Sequence, residues 1–338
     1  MNIGEIARAA GVSRSTVSYA LSGKRSISEE TRRRIEAVIE DLGYRPNASA
    51  RALANGRTDT LALVFPPSRN GHHYTDMQLG FLGSVVEAAA REEYDVLVSA
   101  AGGNGTDALV RLAEERRVDG VLLMESRLDD PRVAVLRERD FPFVTIGRTA
   151  KASGHDWVDL DHGALAAACV HHLADLGHEH LALVNRPQSL IDSGYTNAHR
   201  GAEGFEAAVR ERGLTGRAYA CDDDIASGIA CTERILSDDP AVTGVVTLNE
   251  ASLQGVYRAL GSAGRRIPDE VSVTGIAAAR WAEGVVPPLT AADVPASEMG
   301  QHAVSLLLRR ITDPRASATS VLLTPALVER GSTAERAG

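Results

Sequence analysis

From residue 60 onward, short apolar runs alternate with amphipathic segments of helical period, and this alternation restricts the fold more than any other feature of the chain. The predicted strands are 61–65, 94–98, 120–124, 143–146, 180–185, 218–221, 242–247 and 271–276, and the predicted helices are 76–92, 106–117, 130–139, 163–176, 198–212, 226–237 and 250–263. Strands that alternate with helices predict parallel sheets with right-handed crossovers. The alternation restarts after residue 161, which predicts an α/β body of two lobes with a ligand cleft at the carboxyl ends of the strands.

Composition excludes several classes of protein. The 338 residues are 44% hydrophobic and 24% charged, which is typical of a soluble globular chain of two or three domains. No apolar run approaches the roughly 20 residues of a membrane span, and the first residues lack the basic and apolar regions of a signal peptide. The three cysteines, Cys169, Cys221 and Cys231, have no CxxC spacing. We therefore expect a cytoplasmic protein without a disulfide framework or a membrane partner.

Charge is distributed unevenly along the chain. Residues 1–57 hold ten basic and six acidic side chains, a net charge of +4, whereas the rest carries −13 of the total of −9. A basic head on an acidic body indicates that the head meets a polyanion and the body does not. A chance fluctuation of surface charge is the alternative.

The basic head has the pattern of a small helical domain. Apolar residues repeat at helical spacing in three short segments, namely Ile3, Ile6, Ala7 and Ala10, then Val17, Ala20 and Leu21, then Ile35, Val38, Ile39 and Leu42. Ser13 and Ser28 are suitable N-caps for the second and third segments, and Gly43 ends the third. Three short helices with a tight turn after the first predict a helix-turn-helix.

A helix-turn-helix places the first turn of its second helix on base edges in the major groove of DNA. Arg14 in that turn can donate two hydrogen bonds to a guanine, and nearby polar and basic side chains can hold phosphates. The candidate DNA contacts of the head are Ser13, Arg14, Ser15, Thr16, Ser18, Tyr19, Lys24, Thr31 and Tyr44. A three-helix scaffold that binds no nucleic acid is the alternative.

Three runs of the head, residues 3–23, 28–32 and 42–53, closely resemble the head of transcription factors of the lac repressor/gal repressor type. The resemblance continues through the body at residues 117–122, 158–161, 176–178, 204–205, 247–249, 267–275, 288–290 and 327–332. It implies a helix-turn-helix head at residues 1–45 and a hinge helix at 46–57. It also implies a two-lobe effector-binding and dimerisation body at 60–330, similar to periplasmic binding proteins.

The resemblance implies that the hinge segment becomes helical on operator DNA. The matching residues include Asn47, Ala50 and Leu53, with Leu53 as the apolar wedge in a central minor-groove step. The chemistry agrees, because Pro46 and Gly56 bracket a segment that is too short to be a stable helix alone in water. An inserted wedge kinks the duplex at a cost that added contacts recover. A plain linker with Leu53 packed on the body is the alternative.

Within the body, the resemblance implies chain crossings between the lobes near Asp161, Thr290 and Pro325. Lobe 1 then comprises about 60–160 and 291–324, and lobe 2 about 161–290 and 325–338. Such a hinge closes on a ligand. Helix 296–311, with Met299, Ala303, Leu306 and Leu307, is either part of the dimer interface or ordinary lobe core.

The effector pocket is where the sequence departs from the family pattern. The usual aromatic turn after the first strand is Gly71-His72-His73-Tyr74, the usual arginine is Gly201 with Arg200 beside it, and a usual aspartate is Ala277. Two polar anchors for a hydroxyl-rich ligand are therefore missing or moved, so the effector is either a less usual sugar or not a sugar. The candidate effector contacts are His73, Tyr74, Arg148, Asn197, Arg200, Asn249 and Glu250, each of which could instead be lobe surface or cleft rim.

Other functions have weaker support. The histidine spacings match no metal motif, and no nucleophile or phosphate-binding motif is present, so we expect neither a metal, a cofactor nor an enzyme. A cytoplasmic small-molecule binding protein and a ligand-independent architectural DNA binder remain as alternatives. The sequence predicts a homodimeric transcriptional regulator, most simply a repressor, that binds a roughly palindromic operator and a small polar effector, and it does not distinguish inducer from corepressor.

Overall fold

The computed structural model describes residues 3–22, 26–43, 56–65, 75–100, 105–151, 154–324 and 326–336. In this part of the chain the head contains helices α1 (Ile3–Ala9), α2 (Arg14–Ser22) and α3 (Glu29–Asp41). They pack around the buried side chains of Ile6, Ala7, Ala10, Val17 and Ile35. The backbone amide of Thr31 donates to the hydroxyl of the N-cap Ser28, so α3 begins where the sequence predicted. The predicted three-helix head is confirmed.

The first half of the body alternates strand and helix. In chain order its elements are β1 (Thr60–Phe65), α4 (Asp76–Arg91), β2 (Asp95–Ala100), α5 (Thr106–Glu114), β3 (Gly120–Leu123), α6 (Pro131–Glu138), β4 (Phe143–Ile146) and β5 (Asp156–Leu160). The apolar residues of β1 and β3 are almost completely buried, as expected for central strands of a sheet that helices cover on both faces.

The second half repeats the alternation. Its elements are α7 (His162–Asp175), β6 (His180–Asn185), α8 (Gln188–Asp192), α9 (Thr196–Glu211), β7 (Thr215–Ala220), α10 (Ile225–Asp238), β8 (Gly244–Thr247), α11 (Leu253–Ser262), β9 (Ser272–Ile276), α12 (Ala279–Gly284), β10 (Thr290–Ala292), α13 (Ala296–Thr312), β11 (Ser320–Leu323) and β12 (Leu327–Val328). A single 3-10 turn (Glu250–Ser252) precedes α11.

Two six-stranded sheets form the two lobes. Their strand orders are β11-β5-β4-β3-β1-β2 and β12-β10-β9-β8-β6-β7. All pairs are parallel except β10 with β12. The chain leaves the first sheet after β5, returns after β10 and crosses again between β11 and β12. The predicted two-lobe α/β body with parallel sheets is confirmed, and β10 extends the second sheet to Ala292, slightly beyond the expected crossing near Thr290.

The sequence pattern found the long, fully buried elements and missed the short ones. Strands β5, β10, β11 and β12 and helices α8 and α12 were not among the predicted elements. The predicted helix 106–117 ends at Glu114, and the predicted strand 94–98 runs from Asp95 to Ala100. Residues of β11 alternate between exposed and half-buried, so this edge strand carries too weak an apolar signal to be recognised.

Helix α13 belongs to the core of the first lobe. Met299, Ala303, Leu306 and Leu307 are all buried within the single chain, and α13 packs on α4 and on β3, β4 and β5. Of the two interpretations of this helix, lobe core is therefore correct for these four side chains. Its C-terminal end is held by Arg309 and Arg310, which both donate to the buried carboxylate of Asp156, at 2.9 Å and 2.8 Å.

Close helix crossings in the second lobe depend on glycine pairs. A Cβ atom on Gly204 of α9 would lie 2.2 Å from the carbonyl oxygen of Gly163 in α7. On the other face of the sheet, a Cβ atom on Gly255 of α11 would lie 2.2 Å from the carbonyl oxygen of Ile225 in α10. Only glycine permits backbones to approach so closely, so these positions fix how the helices cover the sheet.

We expect Gly204→Ala to lower the free energy of unfolding by about 1–3 kcal/mol, because α7 and α9 must move apart. The matched control is Gly261→Ala in α11, where nothing lies within 4 Å of an added Cβ atom. In a helix this control should be neutral or stabilising by about 0.5–1 kcal/mol. Chemical denaturation measures both variants, and equal effects would contradict the close-crossing argument.

Candidate functional site

The first turn of α2 is presented to solvent by an anchored helix. Val17 is fully buried in the head, whereas Ser13, Arg14 and Ser15 are exposed. The hydroxyl of Ser13 accepts a hydrogen bond from the backbone amide of Thr16 at 3.0 Å, which is the N-cap geometry that the sequence predicted. The exposed residues therefore stand at a fixed helix N-terminus, the part of a helix that favours anions and faces base edges in a helix-turn-helix.

Arg14 is further positioned by α1. A Cβ atom on Gly4 would lie 2.6 Å from Nη2 of Arg14, so the absence of a side chain at Gly4 makes room for the guanidinium. Arg14 is exposed and is the first residue of α2. In this structure the guanidinium of Arg14 therefore rests against α1.

The remaining predicted DNA contacts fall into two groups. Ser18 and Tyr19 lie half-buried on α2, and the hydroxyl of Thr31 contacts the hydroxyl of Ser28 at 2.8 Å at the start of α3. Lys24, Tyr44, Asn47, Ala50 and Leu53, and with them the predicted hinge helix, lie outside the residues that the structure describes. The described contacts of the head are thus the N-terminal turn of α2 and the N-terminal turn of α3, each fixed by its own serine N-cap.

In the body, a short backbone ladder joins the two lobes. The amide of Leu128 donates to the carbonyl oxygen of Gly194 at 2.7 Å, and the amide of Thr196 donates to that of Ser126 at 3.0 Å. Between them, Arg127 and Tyr195 form an antiparallel bridge, and the guanidinium lies 5.3 Å from the centre of the tyrosine ring. Residues 126–128 of the first lobe and 194–196 of the second, which we call the interlobe ladder, therefore hold the lobes side by side.

A cavity of about 130 Å³ lies between the lobes beside this ladder. One part of its wall is apolar and comprises Met77, Phe81, Met124, Ile146, Leu160, Val294, Ala296 and Met299. The other part is polar and comprises Thr75, Gln78, Glu125, Ser126, Asp159, His162, Arg186, Thr196 and Asn197. An apolar surface that faces a set of convergent polar groups is typical of a small-molecule site.

Two second-lobe side chains in this wall have defined hydrogen-bonding roles. His162 donates from Nδ1 to the carbonyl oxygen of Leu160 at 2.8 Å, and burial lowers its pKa to about 4. The ring is therefore neutral, and Nε2 is an acceptor. Arg186 is buried and donates to Asp223 at 3.2 Å, and its Nε has no hydrogen-bond partner among the described residues. These two side chains thus offer one acceptor and one donor.

Asp159 is a carboxylate that the cavity leaves incompletely paired. Asp159 is 3% exposed, and within the described part of the chain its Oδ2 accepts no hydrogen bond, although Nε of Arg148 lies 3.7 Å away. Burial raises its pKa to about 6, against the opposing effect of Arg148 and Arg200. Arg200 also crosses between the lobes, because it donates to the carbonyl oxygen of Arg148 at 2.9 Å.

Of the predicted effector contacts, Asn197 lines the cavity. Arg148 and Arg200 are not in the cavity wall, but their charges act on Asp159, which is. Asn249 is fully buried and donates to the carbonyl oxygen of Cys221 at 2.8 Å. Glu250 accepts from the amide of Ala278 at 2.6 Å, and burial raises its pKa. These two residues hold loops of the second lobe together in this structure. His73 and Tyr74 lie outside the described residues.

Sequence reasoning missed Gln78, Glu125, Asp159, His162 and Arg186. The last four occur in or within two residues of the carboxyl ends of β3, β5 and β6. Because ligands of open α/β sheets bind at that edge, the positions of the strand ends were the signal that could have found them. Gln78 lies on α4 and had no such signal.

The lobes also meet through side chains. Asp76, at the start of α4, accepts hydrogen bonds from the guanidinium of Arg280 and the indole of Trp281, both on α12. Arg280 is largely exposed, so solvent screens this ion pair. Among the described residues, no group of three or more His, Cys, Asp or Glu side chains could hold a metal ion. No described helix is long and apolar enough to span a bilayer.

A helix-turn-helix head joined to a two-lobe body with an interlobe cavity defines a DNA-binding regulator with a ligand sensor. Comparison with known proteins agrees. Residues 2–47 match the model of bacterial regulatory proteins of the lacI family, and residues 170–333 match the periplasmic binding protein-like domain.

Relatives of similar length cover nearly the whole chain. The HTH-type transcriptional regulator CelR of Thermobifida fusca is 31% identical over 330 residues, which are 97% of this chain and 96% of the relative. The ribose operon repressor of Escherichia coli K12 is 30% identical over 335 residues, 97% of this chain and 98% of the relative. The chain therefore belongs to the lacI family and is a DNA-binding transcriptional regulator.

Solved structures have the same architecture. A complex of the regulator CelR with cellobiose is 27% identical, with a TM-score of 0.74 and coverage of 98% of this chain and 99% of the other. The lac repressor dimer bound to operator and the anti-inducer ONPF has a TM-score of 0.84 at 24% identity and covers 99% of both chains. The latter comparison establishes the fold.

The raised pKa of Asp159 predicts a pH dependence of stability. Because the folded protein holds this proton up to about pH 6 and the unfolded chain releases it near 3.8, stability falls as pH rises through that window. Asp159→Asn removes the cost of burying the charge. Above pH 6 its free energy of unfolding should therefore exceed that of the wild type by up to about 3 kcal/mol, and this difference should disappear toward pH 4.

Thermal unfolding at several pH values measures this difference. The control is Asp107→Asn, which changes an exposed aspartate in the first turn of α5. A stability difference for Asp159→Asn that stays constant between pH 4 and pH 7.5 would contradict the assignment.

Proposed function

We propose that this chain is a homodimeric, cytoplasmic repressor that binds a roughly palindromic operator, and that a sugar in the interlobe cavity changes its operator affinity. The observation that carries the proposal is the cavity beside the interlobe ladder, in a chain whose head exposes the first turn of α2. The relatives support it, because one is a ribose operon repressor and another has been solved with cellobiose. This function is regulation by binding and requires no catalytic step.

In this proposal residues 1–45 read the major groove and residues 46–57 form the hinge. Arg14 reads a base, and the neighbouring hydroxyls of Ser13, Ser15 and Thr16 contact base edges or phosphates. The remaining head contacts are Ser18, Tyr19, Lys24, Thr31 and Tyr44. Asn47 and Ala50 accompany the wedge residue Leu53 in the minor groove. Two heads of one dimer match half-sites about one helical turn apart.

The sensor is the two-lobe body at residues 60–330. Asn197 contacts the effector from the second lobe, and Arg148 and Arg200 act on it through Asp159. The sequence also predicts His73 and Tyr74, which lie outside the described residues, as effector contacts. Asn249 and Glu250 hold the adjacent loops. A sugar suits the cavity because the apolar wall accepts the C–H face of a ring and the polar wall accepts its hydroxyls.

Coupling between the sites follows from the way the chain connects the lobes. The chain crosses between the sheets near residues 161, 293 and 325, so a ligand that touches both lobes favours one lobe angle over another. That angle sets whether the two hinge segments of the dimer can pair on the operator. The ligand shifts operator affinity only by its differential affinity for the two arrangements, at about 1.4 kcal/mol per tenfold.

The direct test is operator selection from random duplexes, followed by titration of the selected operator with and without D-ribose, D-glucose or cellobiose. We expect a palindromic site whose affinity changes at least fivefold with one of these sugars. A decrease identifies an inducer and an increase identifies a corepressor. Binding that is steep in salt but enriches no sequence, or that ignores every sugar, contradicts the proposal.

For the head, Arg14→Ala should weaken operator binding by about 1–3 kcal/mol and relax sequence preference at one base pair. The matched control is Arg210→Ala, which removes one exposed charge from α9 of the second lobe. Fluorescence anisotropy with operator and point-substituted operators measures both effects. An equal loss on every sequence would mean that Arg14 holds a phosphate only.

A further inference from the structure

We infer that Glu125 selects the effector, and that it selects a free sugar over its phosphorylated form. This inference rests on the proposed function, since it assumes that the cavity binds a sugar. Glu125 lines the cavity from the first lobe, two residues after β3 and directly before the interlobe ladder.

The backbone at Glu125 is held in an unusual conformation. Its φ angle is +48°, in the left-handed region that residues other than glycine rarely adopt. The surrounding structure maintains it, because Arg132 donates to the carbonyl oxygen of Glu125 at 2.9 Å and is itself fixed by the buried Asp130. The contact with Arg132 therefore holds the turn after β3 that brings Glu125 to the cavity wall.

A hydrogen-bonded chain orients the carboxylate. The amide of Thr75 donates to Oε1 of Gln78 at 2.9 Å, so the Nε2 group of Gln78 must point the other way. It donates to Oε1 of Glu125 at 2.6 Å. In the described part of the chain, no side chain or amide donates to Oε2 of Glu125. This oxygen is therefore an oriented acceptor beside the cavity, suited to a ligand hydroxyl.

The charged side chains around the cavity differ in whether a group of opposite charge lies beside them. Arg186 is paired with Asp223, and Arg148 and Arg200 face Asp159. His162, on the same wall as Arg186, is neutral. The carboxyl of Glu250 is a further acidic group of the second lobe, and the charges of Asp76 and Arg280 act on it.

Glu125, by contrast, forms no ion pair among the described residues, because its side-chain partner is the neutral amide of Gln78. Arg132 interacts electrostatically with Glu125 but is already paired with the buried Asp130. A phosphate placed beside Glu125 would therefore meet a like charge in a partly buried site, which disfavours binding. A free hydroxyl at the same place donates to Oε2.

The test measures affinity of the full-length protein by calorimetry for D-ribose, D-glucose and cellobiose, and for D-ribose 5-phosphate and D-glucose 6-phosphate. We expect at least one free sugar to bind and the phosphate esters to bind at least tenfold more weakly than that sugar. Glu125→Gln keeps an oxygen that can accept from Gln78 and removes the charge. It should therefore lower the affinity for the free sugar about tenfold and reduce the ratio between the affinities for the free sugar and for its phosphate ester. Glu138→Gln, an exposed residue at the end of α6, is the control.

The outcomes separate the two claims. An ester that binds as well as the free sugar, or an unchanged affinity and discrimination ratio in Glu125→Gln, overturns the role of Glu125 while the sugar-controlled regulator stands. If folded protein that binds its operator binds none of the five probes, the sugar assignment and the role of Glu125 are both overturned.

Discussion

The geometry of the cavity depends on the interlobe ladder. Backbone hydrogen bonds between residues 126–128 and 194–196 fix the separation of the two lobes at the place where the ligand site begins. Glu125 directly precedes the ladder in the first lobe, and Asn197 directly follows it in the second. A ligand held between these two side chains would therefore contact both lobes beside the ladder that joins them.

The side-chain contacts between the lobes are of a different kind. Asp76 with Arg280 and Trp281, and Arg200 with the carbonyl oxygen of Arg148, join elements outside the ladder. The pair of Asp76 with the largely exposed Arg280 is screened by solvent and costs little to break. Within the second lobe, glycine pairs such as Gly163 with Gly204 fix the helices on the sheet.

Much of this molecule is predictable from its sequence, for identifiable physical reasons. Apolar periodicity located α3, β6 and α13, because long buried faces require regular spacing. The N-caps Ser13 and Ser28 marked the starts of α2 and α3. The cavity was less predictable, since Glu125 and Gln78 meet only through the fold, and a single sequence carries no signal of that contact. Glu250 resembled a ligand contact in sequence, yet it accepts from the amide of Ala278 because the loops after β8 and β9 lie together.

We expect the cavity and the DNA-binding head to be coupled by the angle between the lobes. Reciprocal titration tests it most directly: the dissociation constant of the operator is measured with and without the sugar that binds, and that of the sugar with and without saturating operator. Because coupling is a free energy shared by both sites, the affinity for the operator and the affinity for the sugar should change by the same factor and in the same direction. A sugar that binds the protein with the same affinity whether or not operator is present would contradict it.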